Sequence, residues 1–477
     1  MYLDLDGQGD LYAQLARALK RSVLEGRLAA GTRLPSTRLL AQDLGLSRNT
    51  VVTAYELLRA EQLIESRAGS GNFVAAGFKP RAAAPTQLAV EAPSRYSARA
   101  RGLPPLALRR RLPGLRYDLQ YGEPLLDPPL TTAWRRALGR AAVHCDLRYT
   151  PAVGARALRQ AISEYVARRR GIACSTDDVI VTTGAQQALS LAARVLLDEG
   201  DGVAIEDPCY PLAEMMLQAH GATVHAVAVD ASGLDVARLP TEGVRAVLVT
   251  PSHQFPSGAV MSVERRMALL DHADRHGIWI IEDDYDGEFR FAGAPLPALR
   301  SLDTSGRVLY VGSFSKVMFP ALRLGWLICP PSLREDLARA KLLHDVGCPG
   351  IEQLALAALM SNGAFERHLR HASAELKRRR AALLDGLAGT CARHVLLHDT
   401  GAGMHVVGWL PGWSERRVRS LLALSHERGL GLQSIGPHFK RQPAPAGLLL
   451  GYAGLSAKQL RAASALLAQC LRDIPAP

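Results

Sequence analysis

The chain has 477 residues, 48% of them hydrophobic, enough apolar material for two or three packed domains and too much for a disordered polymer. No apolar run approaches the roughly 18 residues of a membrane span, and the start, MYLDLDGQGDLYAQ, carries acids where a signal peptide would be apolar. The net charge of +12 is concentrated: residues 81–116 hold eight arginines against Glu91 alone, while residues 1–80 hold ten basic residues against eight acidic ones. A polyanionic partner is expected. Seven cysteines without CxxC or zinc spacing read as reduced thiols, so a cytoplasmic protein with no metal site and no membrane contact is expected.

In chain order, Leu11, Leu15, Leu19 and Val23 mark one apolar helix face that stops at Gly26. In LPSTRLLAQDLGLSRNTVVTAYELLRA, Ser36 or Thr37 can cap a short helix ending at Gly45. Ser47 then caps a longer one through Val51, Tyr55 and Leu58. Short helix, tight turn and longer helix make a helix-turn-helix, and LIESRAGSGNFVAA adds a β-hairpin wing. Arg48, Asn49 and Thr50 open the second helix, the end that enters a major groove; Arg48 suits guanine, and Asn49 suits adenine or phosphate. Arg33, Ser36, Arg38, Ser47 and the wing-tip Gly69 and Gly71 are placed for backbone phosphates.

The string GRLAAGTRLPSTRLLAQDLGLSRNTVVTAYELLRAEQLIESRAGSGNFV closely resembles the winged helix of the GntR family of transcription regulators, with Asn72 where threonine is commoner. The resemblance implies operator DNA as a partner. It sets a first domain at residues 1–76. An Ala/Pro/Arg-rich linker over 77–114 is expected to be partly extended, with Arg109, Arg110 and Arg111 available to DNA phosphates.

From residue 115 to 477 short β-rich runs alternate with helical stretches, which predicts an α/β fold around a mostly parallel sheet. Ligands bind such sheets at the C-terminal ends of the strands. There VTTGAQQAL places Gly184 and Ala185 at a phosphate-favouring turn. IIEDDYDGEF supplies Asp283 and Tyr285, SFSK supplies Ser313, Ser315 and Lys316, and Arg323 adds a fixed charge. A phosphate cradle, a carboxylate, a phenol and a lysine are what pyridoxal 5'-phosphate requires: the amine forms a Schiff base and the carboxylate keeps the ring nitrogen protonated. EDPCYP adds Tyr210 at the cofactor's edge.

The order TTGAQQAL, EDPCYP, TPSHQFPSG, EDDYDGEF, SFSK, LRLGW resembles the fold-type I aminotransferases, and TPSHQFPSG with EDDYDGEFRF is similar to the MocR type of GntR regulator. That resemblance implies an aminotransferase-like domain with a smaller C-terminal α+β subdomain. It makes Lys316 the internal-aldimine lysine, Asp283 the partner of the pyridine nitrogen and Tyr285 the partner of the ring hydroxyl. Gly184, Ala185, Gln186, Ser313, Ser315 and Arg323 surround the phosphate, and His253 or Gln254 faces the ring. It further implies a homodimer, paired head to tail, that senses pyridoxal phosphate itself or a small amine or amino acid. Two features depart from the aminotransferase pattern. Leu212 and Ala213 follow EDPCYP where an arginine would serve, and no arginine stands just before Gly451, Arg441 being the nearest. These favour a regulator with at most a residual half-reaction over the alternative, a working aminotransferase with a DNA-binding arm.

Overall fold

The computed structural model describes residues 3–76, 94–105, 114–125, 128–293, 296–441 and 444–474. They form two units, residues 1–91 and 92–477.

In the first unit the apolar periodicity becomes α1 (Leu11–Leu24), with Leu15, Leu19 and Val23 almost completely buried and Leu11, at the free end, half exposed. Ser36, rather than Thr37, caps α2 (Thr37–Leu44) by accepting from the Leu39 amide, and Gly45 closes that helix at φ 66°. Ser47 caps α3 (Arg48–Ala60), which packs against α1 through Val51, Ala54, Tyr55 and Leu58. The Tyr55 hydroxyl donates to the Pro35 carbonyl at 2.9 Å, so this polar group of the core is satisfied. Strands β1 (Ile64–Arg67) and β2 (Gly71–Val74) pair antiparallel as the wing, with Gly69 and Gly71 both at positive φ in its turn.

Within the stretch expected to be a partly extended linker, residues 95–102 are helical. Ser94 caps α4 (Arg95–Gly102), and Arg99 donates to the Ala219 carbonyl at 3.0 Å and pairs with Glu199 at 2.9 Å. Arg99 side-chain bonds, invisible to local composition, hold this helix against the segment around residues 199–220 of the second unit, to which it belongs. Arg109, Arg110 and Arg111 lie outside the described residues.

After α4 the second unit continues with β3 (Tyr117–Asp118), α5 (Pro128–His144) and α6 (Arg156–Arg170). Its main sheet uses β4 (Val179–Thr182), β5 (Gly202–Asp207), β6 (Thr223–Asp230), β7 (Gly233–Leu234), β8 (Val244–Val249), β9 (Trp279–Asp284), β10 (Val308–Ser313) and β11 (Gly325–Ile328). Between them run α7 (Ala185–Leu196), α8 (Pro211–His220), α9 (Val263–His276) and α10 (Leu299–Leu302). The spatial order is β4-β11-β10-β9-β8-β5-β6-β7, with β11 and β7 antiparallel to their neighbours and β10, β9, β8, β5 and β6 mutually parallel. Strands covered on both faces read as continuous apolar runs, and β4, β8 and β10 are buried almost throughout.

After α11 (Arg334–Asp345) and α12 (Gly350–Ser361), the long α13 (Ala364–Cys391) leads to a second, antiparallel sheet. It holds β12 (Leu396–His398) and β13 (His405–Trp409), and after α14 (Glu415–Glu427) and β14 (Leu430–Gly431) also β15 (Gln433–Ser434) and β16 (Gly447–Gly451), before α15 (Ala457–Asp473) ends the unit. β14 pairs in parallel with β3, which anchors residues 117–121 against this smaller sheet. Among the described residues no helix is long and apolar enough to cross a membrane.

Candidate functional site

Most chemistry-bearing residues of the second unit lie at or just beyond strand ends of the main sheet, where topology brings loops of distant sequence together. At the end of β4, Gly184 has φ 107°, and a Cβ there would stand 3.3 Å from both terminal nitrogens of Arg323. The guanidinium therefore lies against the turn that starts α7, whose first residue is Ala185, and whose free amides already favour an anion. Ser313 and Ser315, at the end of β10, share a hydroxyl pair at 2.8 Å, and the Ser315 amide donates to Ser313. Gln186 gives its amide group to the Leu212 carbonyl at 3.1 Å, leaving its buried Oε1 without a partner.

The three successive acids of β9 are separated by strand alternation. Glu282 accepts from the amides of Leu299 and Arg300, and Asp284 accepts from Tyr310 at 2.6 Å and pairs with Arg170 at 2.9 Å. Asp283 faces the other way, 6% exposed, with Oδ1 unpartnered. Burial, and then the neighbouring Asp284, Asp286 and Glu206, raise its pKa to about 7, while Lys316 acts in the opposite direction. Lys316 lies with Nζ 4.6 Å from the centre of the Tyr121 ring. Tyr210 stands edge-on to Phe255, 6.1 Å between ring centres, and its pKa rises to about 12 through burial and then Asp283.

The two residues left open by the sequence have different tasks. Gln254 donates to Glu206, Pro208 and Phe255 and accepts from Ser257, so its side chain is consumed in shaping its own loop. His253 points instead to the Tyr285 hydroxyl at 3.0 Å and the Asp286 carboxylate at 3.1 Å. Burial pushes the Tyr285 phenol well up, so it keeps its proton. Gln254→Ala should cost about 1–3 kcal/mol of stability by removing the Gln254 donor from the Pro208 and Phe255 carbonyls and from Glu206, which keeps Thr250; urea unfolding measures this, and an unchanged midpoint would contradict the loop-forming role.

Three residues at this site were not singled out by sequence, and two of them, Tyr121 and His405, lie in no motif. Tyr121 meets Tyr285, Phe255 and His405 edge-on or tilted, and is held there because Gly451 lets the backbone pass: a Cβ on Gly451 would lie 2.6 Å from the Gln120 carbonyl. His405 gives Nε2–H to the Pro256 carbonyl at 2.9 Å, and burial lowers its pKa to about 3. Asp286, within the quoted EDDYDGEF string, is the acid that receives His253. Only the glycine of AGLLLGYAGL signalled a close approach, and it does not name what approaches. Ala213 is buried, and Arg441 is exposed while its amide and that of Lys440 bond the Asp207 carboxylate.

In the first unit, Arg48 and Asn49 are exposed at the start of α3 with Arg38 exposed on α2. The hydroxyls of Ser36 and Ser47 are spent on helix caps, and Thr50 returns its amide and hydroxyl to Ser47 at 3.1 and 2.8 Å. Arg33 bridges to Phe73 of the wing, its guanidinium 3.5 Å from where a Gly71 Cβ would be. The exposed cations thus lie along the helix start and wing, while the serines and threonine hold the helices in shape.

A winged helix-turn-helix unit followed by an aminotransferase-like unit of fold type I, with a lysine, a buried aspartate and an arginine-lined turn at its strand ends, defines a class of transcription regulator. Residues 11–74 match the bacterial regulatory proteins of the gntR family, and residues 117–407 match the aminotransferases of class I and II. The chain is 37% identical over 97% of its length to the probable rhizopine catabolism regulatory protein MocR of Rhizobium meliloti, covering 94% of that protein. It is 31% identical over 94% of its length to the pyridoxine biosynthesis regulator PdxR of Corynebacterium glutamicum, covering 93% of it. Among solved structures, the α-aminoadipate aminotransferase LysN of Thermus thermophilus superposes with a TM-score of 0.68 at 27% identity, over 76% of this chain and 93% of that one. The chain belongs to the MocR-type regulators of the GntR family.

Proposed function

We propose that this regulator binds operator DNA through α3 and the wing, and that its second unit holds pyridoxal 5'-phosphate and senses either that cofactor or a small amine or amino acid through Lys316. The observation that carries this reading is Asp283: a buried carboxylate with an unpartnered oxygen, opposite a lysine, at the C-terminal end of a parallel strand. The donor set fits the cofactor. Gly184, Ala185, Ser313, Ser315 and Arg323 suit a phosphate, Asp283 a protonated ring nitrogen, and Tyr285, positioned by His253, a ring hydroxyl. The related LysN was solved with a phosphopyridoxyl amino acid, which supports the same cradle here. When bound, the cofactor would supply an aldehyde for an amine and an electron-accepting ring; the protein's part is to orient it and to offer Asp283 to a protonated ring nitrogen, whose charge would favour the carboxylate.

An effector shifts the DNA-bound state only by its differential affinity for two conformations. Absorbance titration of the purified protein with amines and amino acids, repeated with operator present, tests the sensing step; a spectrum that no amine or amino acid changes would remove it. A homodimer, paired head to tail, gives two winged helices for two half-sites, and light scattering at a single-chain mass would remove that element.

On the DNA side, Arg48→Ala should lower operator affinity by roughly tenfold to a hundredfold, since a base-reading side chain is worth about 1–3 kcal/mol. Ser47→Ala should instead cost about 1 kcal/mol of stability through the lost cap. Mobility shifts and thermal unfolding separate the two, and equal affinity of Arg48→Ala and wild type would exclude α3 as the reader.

A further inference from the structure

A cavity of about 480 Å³ opens beside, but not within, the Lys316 site. Its walls come from the end of α6, the loop after β9, the first half of α13 and the loop before β13. Five basic side chains reach it, Arg169, Arg170, Arg290, Arg370 and Lys377, against one acid, Glu288. Part of that charge is internally cancelled. Arg170 pairs with Asp284 and Glu288, Glu288 also receives the Tyr165 hydroxyl at 2.7 Å, and Arg169 pairs with Glu366.

Arg290, Arg370 and Lys377 are left with no acidic partner among the described residues, and the buried Arg290 Nε has no acceptor at all. Three like charges converging on one concavity repel one another, and a buried donor without an acceptor adds a further cost. Both costs are relieved by one kind of occupant. The hydroxyl residues Ser252 and Ser373 and the rings of Phe289 and Phe291 complete the lining, a mixture suited to a compact metabolite rather than to a bare ion.

We propose that this cavity binds a small anion carrying at least two negative groups, of the polycarboxylate or phosphate-ester class. Because its walls join the loop after β9 to the long helix α13, the occupant cross-links segments that α13 itself separates in sequence. His253, which holds Tyr285, forms part of the same wall, so the cavity shares a side chain with the Lys316 site. The binding claim itself does not depend on what Lys316 does.

The probes are citrate and pyrophosphate, titrated calorimetrically into the full-length protein at constant ionic strength. Saturable binding of one anion per chain is expected for at least one probe, citrate alone marking the carboxylate class and pyrophosphate alone the phosphate class. Replacing the exposed pair Arg370→Ala and Lys377→Ala should weaken it at least about tenfold, with the unliganded melting temperature nearly unchanged. Arg323→Ala, which removes the charge at the Gly184 turn, should leave it intact, as should the distant pair Arg148→Ala and Lys458→Ala. The proposal is overturned if neither probe binds saturably, if the Arg370/Lys377 variant binds as wild type, or if the distant pair weakens binding equally. Loss in Arg323→Ala with retention in the Arg370/Lys377 variant would place the anion at the turn instead.

Discussion

Lys316→Ala is expected to abolish the visible absorbance band of the cofactor-loaded protein and every spectral response to added amines. The argument rests on placement. Nζ stands 4.6 Å from the Tyr121 ring centre and within electrostatic reach of Asp283, so the amine lies over a ring face at the strand ends with a carboxylate nearby. Loss of the band in the alanine variant alone would not distinguish a missing bond from a collapsed site, because a charge facing Asp283 is removed as well. Lys316→Arg separates the two: it keeps the charge and cannot form the same bond with an aldehyde. The expected result is a stable arginine variant, close to wild type in the absence of cofactor, that also lacks the band. A band that survives in either variant would place the covalent contact on a different amine.

The second large effect is a pH dependence carried by Asp283. Its pKa in the folded protein is about 7 against an ordinary 3.8, with burial as the main cause. Between those values the folded protein holds a proton that the unfolded chain has released, so the folded state binds more protons and stability must fall as pH rises. The loss begins above the unfolded pKa and is complete a little above 7. At about 1.4 kcal/mol per pKa unit, the Asp283 contribution is about 4 kcal/mol at most. Glu206 and Glu282, both raised to about 7 mainly by burial, add slopes of the same sign.

A positively charged ring nitrogen paired with Asp283 would oppose its share by favouring the carboxylate. Cofactor-stripped protein should therefore lose stability between about pH 5 and about pH 8, and cofactor should flatten that loss. Asp283→Asn should show a shallower slope without cofactor and bind the cofactor poorly. Chemical denaturation across pH measures all three. Parallel slopes for the stripped wild type and Asp283→Asn would show that Asp283 is not the group that titrates.

Several features were legible because their causes are local. Ser47 and Gly45 announce a helix start and a helix end through hydrogen bonds within a few residues, so α2, α3 and the wing could be placed closely from sequence. The segment around α4 shows the opposite. Its Ala, Pro and Arg content reads as a partly extended linker and names no partner, yet Arg99 finds acceptors at Glu199, Ala219 and His220, far along the chain. Composition cannot see such partners. Tyr121 and His405 were missed for the same reason: neither lies in a motif, and each reaches the site on a strand or strand end of the smaller sheet and its β3 extension.

By itself the sequence determined the order of parts, the winged helix with its capped second helix, and the strand-end succession of Gly184, Tyr210, His253, Asp283 and Lys316. Those follow from periodicity, capping and the rhythm of buried strands, all short-range effects. Only the tertiary structure decided which of three adjacent acids faces Lys316, that His253 rather than Gln254 turns to Tyr285, and that Arg290, Arg370 and Lys377 share a cavity. Each of these is a question of which face a side chain occupies and what stands opposite. Strand register and the packing of distant segments answer it, and a shift of one residue along a strand would reverse the answer.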